Sequence, residues 1–273
     1  MKTRIQYFFG ILFLLGCMGG HPQQLVFIAP KSINAIDTLT MAFVGDIMCH
    51  KPQVVSAREH GHFDFDHWFQ YVEPILSRAD LAIGNLETTL ADQGPFSGYP
   101  QFKSPDTLAT ALKRAGFDVL VTSNNHSNDT RAKGLIHTIQ SLKENGLLQT
   151  GTFINNFEKD LHYPLIIRKK DFKIALLNYT YDTNGIPTPD GVHVNLIDTL
   201  QIKRDIQDAK RQEPDILLAF MHWGGEYRIN ADRDQKRLAI KMLDLGVDHI
   251  IGSHPHVVQP IEIISIDDEE HLV

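Results

Sequence analysis

The chain has 273 residues, a net charge of −7 with neutral histidines, and two cysteines. That length suits one large α/β domain or two small ones and is enough to bury a sizeable core. The acidic balance argues against nonspecific binding to nucleic acid, and so few cysteines exclude a disulfide framework.

Lys2 and Arg4 give the chain a basic start, and Tyr7 to Leu15 form a short apolar core. That core is shorter than the ~20 apolar residues a membrane span needs, so it reads as a targeting signal. It ends in Leu14-Leu15-Gly16-Cys17, which resembles a bacterial lipobox. The expected event is loss of a signal over 1–16 and lipidation of Cys17, giving an exported protein anchored to a membrane. An ordinary secretory signal that happens to contain a cysteine is the plainer alternative. Losing Lys2 and Arg4 and no acid takes the net charge from −7 to −9. Residues 17–38, with Gly19-Gly20, Pro22 and Gln23-Gln24, read as a tether, and 39–273 as the domain. Cys49 reads as a small buried residue beside the first loop.

Within the domain the apolar pattern predicts strands at 39–44, 81–84, 118–122, 216–220 and 249–251. It predicts helices at 66–78, 106–115, 133–144, 198–212 and 232–245. Segments 163–168 and 172–177 flank the charged turn Lys169-Lys170-Asp171 and read as a hairpin. Residues 91–105 and 182–192 are rich in Gly and Pro and read as loops, the first with an extended piece at 99–102. A strand from Gln259, a turn at 267–270 and the start of a return strand at His271 close the chain. A domain rarely stops inside a hairpin, so truncation at the C-terminus is expected. Strands separated by helices, plus one hairpin, imply an α/β fold with a mixed sheet covered by helices.

The chemistry clusters where the strands end. Asp46 follows the first strand, Glu87 the second, Asn125-His126 the third, His222 the fourth and His254-Pro255-His256 the last. Ligands of open α/β sheets bind at the carboxyl ends of the strands, so these residues are expected to line one site. Carboxylate and amide oxygens mixed with imidazole nitrogens suit Mn, Zn or Fe better than Ca. There are more donors than one ion needs, and two ions ~3.5–4 Å apart sharing a carboxylate are the natural arrangement. On an extended segment His254 and His256 would face the same side. Asn85 and Asn125 have turn chemistry as their plainer reading, and Asp129 has helix N-capping. His60, His62 and His67 read as a solvated loop and helix start. Glu226, Tyr227, and Tyr99 with Phe102 and Lys103, read as surface residues or as walls of a cleft.

Gly45-Asp46-Ile47-Met48, Ala82 to Thr88, Ser123 to Asp129, His222 to Tyr227 and Gly252 to Val257 together resemble the CapA family. These are bacterial capsule-synthesis proteins of the poly-gamma-glutamate type, within the calcineurin-like metallophosphoesterases. The resemblance runs from about Thr40 to Pro260. It implies a calcineurin-like sandwich of mixed β-sheets flanked by helices. By motif, Asp46 and His256 would hold one ion, Asn125, His222 and His254 the other, and Glu87 would bridge or bind one ion only. His126 would be the acid near the leaving group, and His126 and Asp46 are the catalytic candidates. Two positions depart from the phosphoesterase pattern. Met48 stands where the first motif has a ligand histidine, with Cys49 or His50 as substitutes. Asn85 stands where the second motif has its bridging aspartate.

The resemblance implies metal-dependent hydrolysis or transfer at a phosphate ester, amide or acyl phosphate in capsule or envelope polymer metabolism. The partners it implies are an anionic polymer or phosphate-bearing substrate, the membrane, and other capsule-synthesis proteins. The rival reading is a non-catalytic, membrane-anchored scaffold for polymer assembly or export. A polymer-binding module that uses the Tyr99 loop is a third.

Overall fold

The computed structural model describes residues 38–273. The expected signal, Cys17 and nearly all of the tether lie outside them. The apolar strands assemble into two four-stranded sheets. In the first, β1 (Met41–Ile47), β2 (Leu81–Leu86), β3 (Val119–Val121) and β4 (Leu148–Thr150) lie side by side in chain order, all parallel. In the second, β5 (Leu165–Lys169) and β6 (Phe172–Thr180) form the expected hairpin. Parallel strands β7 (Ile216–His222) and β8 (His249–Ser253) extend that sheet.

Period-two alternation explains how the sheets stack. Leu81, Ile83, Val119 and Val121 of the first sheet meet Ile174, Leu176, Leu218 and Phe220 of the second in one buried cluster. The intervening residues point outward into two further clusters. Ala82 and Leu120 pack under helix α1 (Thr107–Arg114), which buries Leu108, Ala109, Ala111 and Leu112. Ala175, Leu217, Ala219 and Met221 pack under α3 (Thr199–Arg211) and α4 (Arg233–Asp244). A further helix, α2 (Arg131–Glu144), links β3 to β4. The result is a sandwich of two sheets with helices outside. Both faces of each sheet are buried, so the strands read as continuous apolar runs. At Gly84 of β2 a Cβ would lie 2.7 Å from the Phe117 ring and 2.8 Å from Ile47. A bare backbone is needed there for Phe117 to close the outer face.

Most predicted elements are present, with instructive departures. The helix expected over 66–78 is two short pieces, Asp66–Phe69 and Glu73–Leu76. Pro74 has no N–H to donate to the preceding turn and sits instead in the first turn of the second piece. The extended piece expected at 99–102 is a strand at Lys103–Pro105 paired with Thr89–Ala91. Edge strand β4, the helix Lys51–Ser56 and the helix Asn156–His162 were not predicted. Each is too short to show a period. At the chain's end Ile263–Ile266 pairs with Glu269–Leu272 around Asp267 and Asp268, whose φ angles are 51° and 65°. Among the described residues no helix is long and apolar enough to cross a membrane.

Candidate metal centre

The alternation that buries Ile83, Phe220 and Ile174 on the inner faces carries on past them. It places Asn85, His222 and Asn178 on those same faces at the carboxyl ends of the strands, all fully buried. The gap between the two sheets there is the site. Asp46 enters from β1, where the register with β2 shifts between Val44 and Asp46. Glu87 follows β2, Asn125 and His126 follow β3, and His254 and His256 follow β8. The structure thus brings together all the residues predicted to line one site.

Asp46 accepts hydrogen bonds on both carboxylate oxygens. Its Oδ1 accepts from Asn85 Nδ2 at 2.9 Å, and its Oδ2 meets His256 Nδ1 at 2.8 Å. The backbone N–H of His254 reaches both oxygens, at 3.2 and 3.1 Å. Burial works against its ionisation, but the hydrogen bonds from His256 and Asn85 help to outweigh it and hold Asp46 below the usual carboxylate range. The same bond raises His256 above the usual imidazole value. Glu87 is fully buried. Burial, reinforced by the negative charge of Asp46, pushes its carboxyl up to about 11. Burial lowers His222 far below the ordinary imidazole range and lowers His254 in the same direction. Both are therefore neutral, the form that binds metals.

The amide contacts follow from backbone anchors. Asn124 donates to Leu86 O at 2.8 Å and accepts from His126 N at 3.1 Å, which sets its orientation. Its Nδ2 then donates to Asn85 Oδ1 at 3.1 Å. Asn125 Nδ2 donates to Asn184 Oδ1 at 3.2 Å, which turns Asn125 Oδ1 toward His222 Nε2 at 2.8 Å. His222 Nδ1 lies 3.0 Å from Ser253 Oγ.

His254 and His256 are not on an extended segment. Their φ angles are 96° and 55°, both in the left-handed region that L-residues rarely adopt. Such conformations cost on the order of 1–3 kcal/mol each and persist where the surroundings impose them. Here the turn, rather than strand alternation, gathers the rings, whose centroids are 5.9 Å apart. Tyr181 borders His254 at 4.7 Å and Tyr227 borders His256 at 6.0 Å, and both tyrosines are exposed at the mouth.

Asp129 does not cap a helix. The N-cap of α2 is Thr130, without a side-chain bond. Asp129 is buried, and its Oδ2 meets His126 Nδ1 at 2.8 Å and accepts from Phe102 N. His126 Nε2 therefore faces the site, 4.0 Å from Glu87 Oε1. Asn85 is likewise no turn residue but a buried part of β2. Neither substitute for the missing first-motif histidine reaches the donors. Cys49 is buried beside Ser104, and burial pushes its thiol up to about 11. His50 packs edge-on against Phe102 at 4.9 Å. Met48 lines a cleft of about 650 Å³ with Asp46, Pro52, Trp68, Phe69 and Leu108. Sequence reading missed Asn124, Asn178, Asn184 and Ser253. Asn124 and Ser253 lie within the motifs at 123–129 and 252–257, while Asn178 and Asn184 lie in neither.

The donor set fits a divalent cation. Ligand atoms of Glu87, His254 and His256 lie within 4.8 Å of one another, as do those of Asp46, Glu87 and His222. Glu87 Oε1 and His254 Nδ1 are buried and have no hydrogen-bond partner, an arrangement that is costly unless something binds them.

A family model described as bacterial capsule synthesis protein PGA_cap matches residues 40–273. The chain is 31% identical over 253 residues to the capsule biosynthesis protein CapA of Bacillus anthracis, covering 88% of this chain and 60% of that protein. It is 30% identical over 247 residues to the PGA biosynthesis protein CapA of Bacillus subtilis (strain 168), covering 83% and 60%. The matches thus span 60% of the length of these curated relatives. Among solved structures, the Haemophilus influenzae NAD nucleotidase superimposes with a TM-score of 0.52 at 12% identity, over 86% of this chain and 49% of that one. A putative 5'-nucleotidase from Staphylococcus aureus gives 0.50 at 12%, over 85% and 48%. At that identity the likeness concerns the fold alone, and the fold is that of the calcineurin-like metallophosphoesterases. Every site residue from Asp46 to His256 falls within the matched span, and the chain belongs to the bacterial capsule synthesis protein family PGA_cap.

Proposed function

We propose that this protein is a metal-dependent hydrolase or transferase of the cell envelope, acting on a phosphate ester or acyl phosphate in capsule or poly-gamma-glutamate metabolism. The observation that carries this reading is the convergence of Asp46, Glu87, Asn125, His222, His254 and His256, with two buried ligand atoms lacking any partner. Mn, Zn or Fe suits that donor set. When bound, such a cation polarises the phosphoryl oxygen and lowers the pKa of a coordinated water.

The chain's own residues supply the rest. The sheets and Tyr181 exclude bulk water from the inner side of the site. Asp129 holds His126 Nδ1, so that Nε2 points inward and can hand a proton to a leaving oxygen. Tyr181 and Tyr227 wall the mouth, where an extended polymer would enter. Lipidation at Cys17 would tether the domain to a membrane and place this chemistry beside polymer assembly, with other capsule-synthesis proteins as partners.

The test is metal content of the purified protein, together with phosphate release from acetyl phosphate and from bis(p-nitrophenyl) phosphate. Metal uptake with turnover that is lost in His126→Ala supports the reading. A folded protein that takes up neither Mn nor Zn sinks it. A non-catalytic scaffold is the second reading, favoured by Met48 standing where the resembling phosphoesterase motif has a ligand histidine. For a scaffold, His126→Ala would leave capsule assembly intact.

A further inference from the structure

The cleft beside Met48 is mostly apolar and shares a residue with the metal centre. It is lined from the carboxyl end of β1, from the helix Lys51–Ser56, from the helix Asp66–Phe69 and from α1. Ile47, Met48, Pro52, Trp68, Phe69 and Leu108 supply its apolar surface. Gln53 also lines it, but the Oε1 of that side chain is taken by the His50 N–H at 2.6 Å. Asp46 is the charged residue of the lining, and it is also a member of the donor set. An occupant of the cleft therefore reaches the centre at Asp46.

The walls are held from outside, so the cleft does not collapse. Phe65 is buried, and Trp68 rests edge-on against it at 5.1 Å. Arg114 of α1 donates to Asp66 Oδ2 at 2.7 Å and ties that short helix to α1. A Cβ at Gly98 would lie 2.6 Å from Lys51 N, so the 91–105 loop backs directly onto the start of the other helix. Trp68 and Phe69 are left half-buried at the edge of the core. Covering such surface with an apolar guest is favourable. The volume of about 650 Å³ is that of a site for a drug-sized ligand, more than a single ring fills. Met48 suits a flexible guest, because an unbranched thioether adapts its shape to what it touches. The departure from a ligand histidine at this position thereby gains a role.

We propose that the cleft is the substituent subsite of the centre, and that the substrate is a phosphate ester of a chain-like apolar alcohol. The phosphate lies at the metal and the chain lies along Met48, Trp68 and Phe69. This names the substrate class of the phosphate reading above and rests on it.

The experiment is isothermal titration of the purified, Mn-loaded protein with ethyl-, butyl-, hexyl- and octylphosphonate, each below its micelle concentration. Phosphonates keep the anionic head, and their C–P bond resists hydrolysis. Each methylene that becomes fully buried tightens binding about fourfold, so octylphosphonate should bind at least about 100-fold more tightly than ethylphosphonate. Trp68→Gln removes part of the wall, and Ser56→Trp fills the cleft from an exposed lining position. In each variant the octyl-to-ethyl ratio should drop below about 10-fold, with folding checked by circular dichroism. Ser56→Trp keeps the test decisive if Trp68→Gln does not fold. A flat series, or a ratio that survives in the folded variants, would overturn the proposal, while ethylphosphonate binding would leave the phosphate reading standing. Phenylphosphonate binding more tightly than octylphosphonate would overturn the chain-like occupant. Failure of every phosphonate and of inorganic phosphate to bind the Mn-loaded protein would remove both readings.

Discussion

Asn178 of β6 joins the two sheets through one amide. Its Oδ1 accepts from Ser123 N at 2.8 Å, and its Nδ2 donates to Phe220 O at 3.0 Å. Ser123 opens the loop that carries Asn125 and His126, and Phe220 lies two residues before His222. The side chain therefore sets the distance between the two banks of the site. Asn178→Ala leaves Ser123 N–H buried and unpaired, a loss on the order of 1–3 kcal/mol. Metal affinity should fall by about 10-fold, as for other second-shell losses. Tyr179→Phe, which removes the Tyr179–Asp205 bond of 2.8 Å on the opposite face of β6, should lower stability without touching affinity. Isothermal titration of both variants separates positioning from general weakening.

Gly151 is the counterpart of Asn178. Its φ is +105°, and a Cβ there would lie 1.9 Å from Asn178 Oδ1 and 2.7 Å from Ser123 N. Gly151→Ala should destabilise by more than the ~1–3 kcal/mol of backbone strain alone, because the side chain must also displace the amide. Urea denaturation measures this. A midpoint equal to wild type would show that the sheets tolerate a wider gap.

His126 and Asp129 should separate chemistry from metal. His126→Ala should lower turnover by ~10²- to 10⁴-fold, with metal content unchanged. Asp129→Asn should give a smaller loss, since Phe102 N keeps its acceptor while the imidazole loses its anionic partner. Loss of metal from His126→Ala would instead make His126 a ligand.

The metal-free protein should lose stability as pH rises through the alkaline range. Glu87, pushed up to about 11 by burial and by Asp46, keeps a proton in the fold that the unfolded chain releases above its ordinary value. Its contribution is therefore fully present at acid pH and fades as pH climbs toward 11. Asp46 has the opposite sign, but its loss lies below the usual carboxylate range. His222 and His254 are depressed and titrate below neutrality. Near pH 8 the slope should belong chiefly to Glu87 and shrink in Glu87→Gln, because Cys49, also pushed up to about 11, adds a slope of the same sign only above its ordinary value. Thermal melts in chelator would show it. Metal binding must also expel this proton, so calorimetry in buffers of different ionisation enthalpy should report proton release.

Much of this was legible in the chain. Strands such as 118–122 and 216–220 carry enough apolar residues to declare themselves, and each ends in a chemically marked residue. Hydrophobic burial is a property of local pattern, so a mixed sheet covered by helices, the carboxyl-end location and the list from Asp46 to His256 could be read residue by residue, while the sandwich of two sheets was implied only by the family resemblance. Short pieces such as β4 could not, because three residues show no period. Neither could the left-handed turn at His254 and His256, which the packing of Asp46 against the His254 N–H imposes from a distant part of the sequence.

The sequence by itself determined which donors meet and where, because apolar alternation dictates which face of each strand is buried. Only the tertiary structure decided how their hydrogen bonds are allotted. It gave Asp129 to His126 rather than to a helix end and turned the NH2 of Asn85 toward Asp46. It left Glu87 Oε1 and His254 Nδ1 open. Those allotments depend on partners far apart in the chain and on directions within a fraction of an ångström. Residue identity carries neither.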